Sequence, residues 1–78
     1  MKIYILANVG DSDHDILMKS FRTLEEAQAQ MKKEYDDAKE DCESMGETAD
    51  DGNYIDEMNA YQSYDESATW WSIQEFDI

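Results

Sequence analysis

The stretch from Thr23 to Gly46 constrains the fold more than any other part of the chain, because it carries the signals of one long helix. Thr23, with Glu26 three residues later, is a capping box, in which both side chains accept hydrogen bonds from backbone N–H groups at a helix start. Gly46 can adopt the left-handed conformation that ends a helix. An apolar stripe recurs between them at steps of three and four residues: Leu24, Ala27, Met31, Tyr35, Ala38, Cys42 and Met45. These signals predict a helix of about six turns whose stripe faces the core.

Two segments before this helix have the character of strands. Lys2 to Ala7 is rich in β-branched and aromatic residues and is apolar on both faces, which predicts an internal strand. Asn8 to Asp15 contains Gly10 and several turn-forming residues, and predicts a hairpin loop. Asp15 to Phe21 then predicts a second, more exposed strand.

The segment after the helix is less uniform. Glu47 to Asn53 is acidic and predicts a loop. Tyr54 to Tyr64 fits both a helical and a strand period, and we expect a short helical turn from Tyr54 followed by a strand from about Met58. Asp65-Glu66-Ser67 predicts a tight connection. Ala68 to Ile78, rich in residues that favour strands, predicts the last strand.

Together these elements predict one α+β domain over residues 1–78, with the order ββαββ and an antiparallel sheet that carries the long helix across one face. The aromatic content of 12% argues against a disordered chain. Cys42 lies on the apolar stripe and is expected to be a buried, small apolar residue. No run approaches the roughly 18 apolar residues of a membrane span, and Met1 to Leu6 is too short for a signal sequence. We therefore expect a cytoplasmic protein.

Charge is distributed unevenly along the chain. The net charge is −14, but residues 1–33 contain five acidic and five basic residues, whereas residues 34–78 contain fifteen acidic residues and one base, Lys39. Such a concentration of negative charge repels nucleic acids and anionic membranes. It attracts basic surfaces, so we expect a basic protein as the partner, with no direct binding of nucleic acid or membrane.

The carboxylates of the predicted helix reduce its stability. Asp36 with Glu40 and Asp37 with Asp41 are like-charge pairs four residues apart, and acids near a helix C-terminus oppose the helix dipole by about 0.3–1 kcal/mol each. Their spacing is also close to that of DNA phosphates, with one carboxylate per roughly 3 Å of helix against about 3.4 Å per nucleotide of one strand. The carboxylates in this row are Glu34, Asp36, Asp37, Glu40, Asp41, Glu43 and Glu47. This row predicts either a surface that occupies a nucleic-acid-binding groove or a solvated face that keeps the protein soluble.

Aromatic residues are a second feature of the acidic part. Tyr and Trp are enriched among the residues that contribute most to protein–protein binding, and Tyr54, Tyr61 and Trp70 are candidates for such contacts. Trp70 and Trp71 must point to opposite faces of a strand. If the helix covers one face of the sheet, one of these two tryptophans lies on the uncovered face.

No pattern in the sequence favours catalysis or a cofactor. Asp11, Asp13 and Asp15 have the spacing of a calcium-binding loop, but Ile16 and Arg22 stand where such a loop needs glycine and a bidentate glutamate. His14 is the one histidine, and no nucleophilic triad, glycine-rich phosphate loop or Cys/His metal pattern is present. We expect neither an enzyme nor a metal site.

Three segments carry a resemblance to a known class of proteins. Met1-Lys2-Ile3-Tyr4-Ile5-Leu6, the junction Ser20-Phe21-Arg22-Thr23-Leu24-Glu25-Glu26-Ala27 and the ending Trp71-Ser72-Ile73-Gln74-Glu75 resemble small uncharacterised ββαββ proteins of phages and their bacterial hosts. By size and charge the chain is also similar to phage anti-defence proteins, which include anti-CRISPR inhibitors and DNA mimics. The resemblance implies an inhibitor in the host cytoplasm and brings no catalytic residues with it.

The expected function is therefore that of an acidic inhibitor that occupies a basic, nucleic-acid-binding groove of a host defence nuclease complex. The alternative is a small adaptor that binds a partner through its sheet edge and an aromatic patch, with the charge serving solubility. The candidate partner-binding residues are Asp36, Asp37, Glu40, Asp41, Glu43, Glu47, Tyr54, Tyr61 and Trp70.

Overall fold

The computed structural model describes residues 1–10, 16–65 and 67–78. The elements are β1 Lys2–Gly10, β2 Ile16–Phe21, α1 Leu24–Ser44, β3 Tyr54–Ile55, β4 Asn59–Tyr64 and β5 Ser67–Asp77. The five strands form one antiparallel sheet in the order β2-β1-β5-β4-β3, and α1 packs across one face of it. The predicted α+β class is confirmed, but the order is ββαβββ rather than ββαββ.

The helix begins and ends where the sequence predicts. The Thr23 side chain accepts a hydrogen bond from the backbone N–H of Glu26 at 3.2 Å. At the other end Gly46 has a φ of 82°, and its N–H donates to the carbonyl of Glu43, while the N–H of Glu47 donates to the carbonyl of Cys42. These two crossed hydrogen bonds form a Schellman motif, which needs a left-handed residue where Gly46 stands.

The internal position of β1 is confirmed, although the strand is longer than predicted. It lies between β2 and β5 and pairs with β5 along its whole length, from Lys2 opposite Asp77 to Gly10 opposite Thr69. Residues 8–10 therefore belong to the strand and not to the predicted hairpin loop. The rest of that loop, residues 11–15, and Glu66 of the predicted tight connection lie outside the described residues. β2 is exposed, as predicted, and it lies at one edge of the sheet.

The helical turn predicted at Tyr54 is wrong. Tyr54 begins the two-residue strand β3 and lies opposite Tyr61 of β4. A tight turn joins the two strands, because a carboxylate oxygen of Asp56 accepts hydrogen bonds from the backbone N–H groups of Met58 at 2.9 Å and Asn59 at 2.7 Å. Pairing with β4 thus outweighs the helical spacing of the local sequence.

The core lies between α1 and the face of the sheet that it covers. Its buried members are Leu6, Ala27, Met31, Ala60, Trp71 and Ile73. Cys42 is half-buried on the same stripe. Met45, which the apolar stripe placed in the core, is 70% exposed, because the helix ends at this residue.

The other side of the sheet has no element packed on it among the described residues. We call this side the open face. The open face carries the odd-numbered residues of β1 and β4 and the even-numbered residues of β2, β3 and β5, as strand alternation and the pairing register show. None of these residues is charged. Trp70, 43% exposed, lies on the open face, whereas Trp71, 2% exposed, lies under the helix.

Candidate functional site

The predicted carboxylates of α1 lie along two flanks of the helix. Asp37 and Asp41 border a groove between α1 and the β1–β2 side of the sheet, which Asn8 and Leu17 also line. Asp36, Glu40 and Glu43 follow at helical spacing on the opposite flank. Glu43 lies near β4, because its carboxylate accepts a hydrogen bond from the hydroxyl of Tyr64 at 3.3 Å. All of these carboxylates are exposed.

Ion pairs compensate part of this charge in the middle of the helix. Lys32 contacts Asp36 and Lys33 contacts Asp37, each at 3.0 Å between nitrogen and oxygen. Both pairs are exposed, so each contributes less than about 1 kcal/mol to stability. The two lysines also reduce the negative electrostatic potential of the helix surface, because each places a positive charge beside one of the predicted binding carboxylates.

Glu34 has a structural role and does not contribute to the outer acidic surface. One carboxylate oxygen accepts hydrogen bonds from the side chains of Asn8 at 3.1 Å and Trp71 at 3.3 Å, and the other from Gln30 at 2.9 Å and Lys19 at 3.1 Å. Burial by itself raises the pKa of this carboxyl, but the hydrogen bonds from Gln30, Lys19 and Asn8 outweigh it and leave the pKa below its ordinary value. Glu34 therefore holds α1 to the sheet as a carboxylate.

Carboxylates from three segments of the chain lie at the C-terminal end of α1. The loop after the helix packs beside the end of β4: the N–H of Asp50 donates to the carbonyl of Ser63 at 3.0 Å, and a carboxylate oxygen of Asp65 accepts from the N–H of Thr48 at 3.1 Å. Glu47 and Asp65 line one depression with Met45. We call this region the acidic end; its carboxylates are Glu40, Asp41, Glu43, Glu47, Asp50 and Asp65.

The C-terminus of α1 adds to the negative field at the acidic end. The last turn of α1 contains no basic residue, and the C-terminus of a helix carries a partial negative charge of its own. Four lysines form ion pairs outside this region: Lys2, Lys19, Lys32 and Lys33. Lys39, next to Glu40 in α1, is the base nearest to the acidic end in the sequence. Burial and the neighbouring Glu43 raise the pKa of Tyr64, which lies beneath these carboxylates.

The structure separates the predicted aromatic residues from the predicted carboxylates. Tyr54, Tyr61 and Trp70 lie on the open face, on the opposite side of the sheet from α1. The rings of Tyr61 and Trp70 are in contact, with centroids 5.4 Å apart and planes at 45°. The nine predicted binding residues therefore form two surfaces, one charged and one aromatic, and a single flat partner cannot contact both.

Sequence reasoning missed Asp50 and Asp65 as members of the acidic end. They are distant from the helix in the sequence, and loop packing against β4 brings them to its C-terminal end. The sequence offered one signal for these two residues: they lie in turn-forming segments on either side of the strand predicted from about Met58. The error for Glu34 is the opposite one, because the sequence analysis included it in the acidic row. Glu34 stands three residues after Met31 and four before Ala38, so its helical position already placed it beside the core.

No other site is evident in the part of the chain that the structure describes. Within residues 1–10, 16–65 and 67–78, no group of three or more His, Cys, Asp or Glu residues is arranged to hold a metal ion. The aspartates at positions 11, 13 and 15 and His14 lie outside these ranges. None of the described helical segments has the length and apolar character that crossing a membrane requires.

Comparison with known proteins identified no relative of this chain. The chain matches no protein-family model, no curated protein and no solved structure. The resemblance to phage ββαββ proteins and to anti-defence proteins therefore stays a prediction.

Proposed function

We propose that this protein is an acidic inhibitor that binds a basic, nucleic-acid-binding groove of a larger protein. In its most specific form, the partner is a host defence nuclease complex, and the protein is a phage-encoded, anti-CRISPR-like or DNA-mimicking inhibitor that acts in the host cytoplasm. The observation that carries the proposal is the acidic end, where three segments of the chain bring their carboxylates together beside the negative end of a helix.

The mechanism is competition for cationic side chains. Carboxylates form strong, charge-assisted hydrogen bonds with arginine and lysine, which are the groups that contact phosphates in a nucleic-acid-binding groove. Glu40 and Asp41 are the principal contacts we expect, because Asp36 and Asp37 are paired with lysines and Glu43 is hydrogen-bonded to Tyr64. Binding by the acidic end involves no catalytic step.

A matched pair of charge variants tests the proposal. The test variant carries Glu40→Lys and Asp41→Lys at the acidic end. The control carries Glu25→Lys and Glu57→Lys, two exposed positions outside the acidic end, so that the net charge rises equally in both proteins. The test variant is expected to fold, because lysines near the helix C-terminus interact favourably with the dipole by about 0.3–1 kcal/mol each.

The assay measures displacement of DNA from RNA-guided nucleases and other nucleic-acid-binding defence proteins. Fluorescence anisotropy of a labelled duplex follows release as the wild-type protein or a variant is added. We expect the wild-type protein and the control to release the duplex, with an affinity that falls steeply as salt is raised from about 50 to about 200 mM. The test variant is expected to lose at least tenfold in affinity. Equal competition by the folded test variant would refute binding through the acidic end.

A second function is favoured by the aromatic pair of Tyr61 and Trp70. In this alternative, the protein is a small adaptor that binds its partner through the sheet edge and the aromatic patch, and its charge serves solubility. Partner binding would then survive Glu40→Lys with Asp41→Lys and high salt, and would be lost in Trp70→Ala. The two functions therefore predict opposite results for the same variants.

A further inference from the structure

The open face is uncharged in a chain of which 33% of the residues are charged. The same strands carry Lys2, Lys19, Glu75 and Asp77 on their helix-covered side, so the absence of charge is confined to one side of the sheet. The open face has exposed apolar side chains near its edges, including Met18 at 66% and Phe76 at 46%. The solvent-exposed face of an antiparallel sheet normally carries polar and charged residues, so an uncharged face with exposed apolar side chains marks an interaction surface.

The size of the open face fits one side of a stable protein interface. Five strands spaced at about 4.8 Å make the sheet about 24 Å wide, and nine residues of β1 at about 3.4 Å make it about 30 Å long. Because β2, β3 and β4 are shorter, the flat area is roughly 600 Å², which is of the same order as the ~800 Å² per partner of a standard interface.

The area and the neutrality of the open face both fit a second copy of this chain as the occupant. Two molecules with a net charge of −14 each repel one another, and this repulsion is weakest when they meet through surfaces without charge, as the open face is. Packing two open faces together leaves both helices on the outside. With about 10 Å between stacked layers, the two helix axes lie about 30 Å apart, several times the Debye length of ~8 Å at physiological salt.

We propose that two copies of this chain associate through their open faces in a twofold sandwich of two five-stranded sheets. The interface is isologous, so each residue of the open face meets the same surface of the partner copy. Tyr61 and Trp70 supply contact area near one end of the face, and residues around Gln74 supply its centre. The acidic ends stay exposed, so the assembly displays two of them.

Single charges placed on the face test the proposal. Gln74→Lys and Met18→Lys each put an ammonium group on the open face, at positions that already contact solvent, so the fold is expected to persist. Ala29→Lys is the matched control, because it adds the same charge at an exposed position of α1. Sedimentation equilibrium measures the mass of each protein, and circular dichroism confirms that each is folded.

The wild-type protein and Ala29→Lys are expected at twice the 9.1 kDa mass at about 100 μM chain, since interfaces of this size have micromolar or tighter affinity. Gln74→Lys and Met18→Lys are expected to weaken the association at least tenfold. A monomeric wild-type protein at this concentration overturns the proposal, even if its open face binds a membrane or another protein. Association that is unchanged in both folded face variants also overturns it, and indicates pairing through a strand edge.

Salt separates this proposal from the function proposed for the acidic end. The sandwich is expected to persist or tighten as salt rises, because its contacts are apolar and the remaining repulsion is screened. Glu40→Lys with Asp41→Lys leaves the sandwich intact, whereas Gln74→Lys leaves the acidic end intact. These variants can therefore refute one proposal without refuting the other.

Discussion

Replacing Glu34 with alanine removes the acceptor that connects the helix to both central strands. The carboxylate receives hydrogen bonds from Asn8 on β1 and Trp71 on β5, at 3.1 Å and 3.3 Å. Trp71 is 2% exposed, so its indole N–H loses its acceptor in a buried position when the carboxylate is removed. The expected result of Glu34→Ala is a folded but markedly less stable domain.

The size of this effect follows from the donors that lose their partner. A buried donor without an acceptor costs about 1–3 kcal/mol, and we take the lower half of that range for Asn8 and Trp71 because the Glu34 side chain is 18% exposed. The ion pair with Lys19, whose side chain is 52% exposed, adds at most about 1 kcal/mol. The expected loss is about 3 kcal/mol, which lowers the melting temperature of a domain of this size by about 12–24 °C.

Urea unfolding followed by tryptophan fluorescence and far-ultraviolet circular dichroism measures this loss. Glu40→Ala is the control, because it removes a carboxylate from the exposed surface of the same helix and should change stability by less than about 0.5 kcal/mol. Glu34→Gln keeps one acceptor oxygen and is expected to lie between the wild-type protein and Glu34→Ala. Equal unfolding midpoints for Glu34→Ala and Glu40→Ala would refute the assigned role of Glu34.

The pH dependence of this stability has a defined sign. The pKa of Glu34 is lower in the folded protein than its ordinary value of 4.5, so the folded state favours the ionised carboxylate. Its contribution is therefore fully present above the unfolded-state pKa and is lost as pH falls through the lower, folded-state pKa. The stability difference between the wild-type protein and Glu34→Gln should narrow as pH is lowered below 4.5. A difference that stays constant or widens over this range would contradict the hydrogen-bonding pattern.

Three further substitutions test the helix and its core, each by urea unfolding. Met31→Ala, at a side chain that is 1% exposed, should cost about 3 kcal/mol through the cavity it leaves, and a loss below about 1 kcal/mol would argue that α1 packs elsewhere. Gly46→Ala should cost about 1 kcal/mol because φ is 82°, and unchanged stability would show that this residue is not left-handed in solution. Thr23→Ala should cost about 1 kcal/mol and Thr23→Ser much less, so equal losses would exclude a role for the hydroxyl as a cap.

The helix and the internal strand β1 could be predicted because their signals are local. The cap at Thr23, the stripe through Met31 and the glycine at position 46 each act within a turn of their own position, and together they fixed both ends of α1. Apolar residues on both faces of β1 likewise predicted an internal position, because a strand with a neighbour on each side is the one most enclosed by the sheet.

Features that depend on distant pairing could not be predicted. The stretch from Tyr54 has a helical spacing, and only the presence of β4 beside it selects a strand. The strand order follows from the pairing of β1 with β5, whose partners are more than 55 residues apart in the sequence. Alternation showed which residues of β5 share a face, including Trp70 with Phe76, but it carries no information about whether another element covers that face.

The same limit explains why the candidate site divides into two surfaces. In the sequence, Tyr61 and Trp70 belong to the acidic part of the chain, and they were grouped with the carboxylates of α1 as candidate partner-binding residues. In the fold, the sheet lies between them, since each strand sends alternate residues to opposite sides. Charge was therefore kept on the helix side, on loops and at strand ends, while the open face stayed neutral. In so small a domain, an acidic surface that repels other copies and a neutral face proposed to bind one must lie on opposite sides of the sheet. Raising the salt concentration should therefore weaken binding at the acidic end and preserve association through the open face.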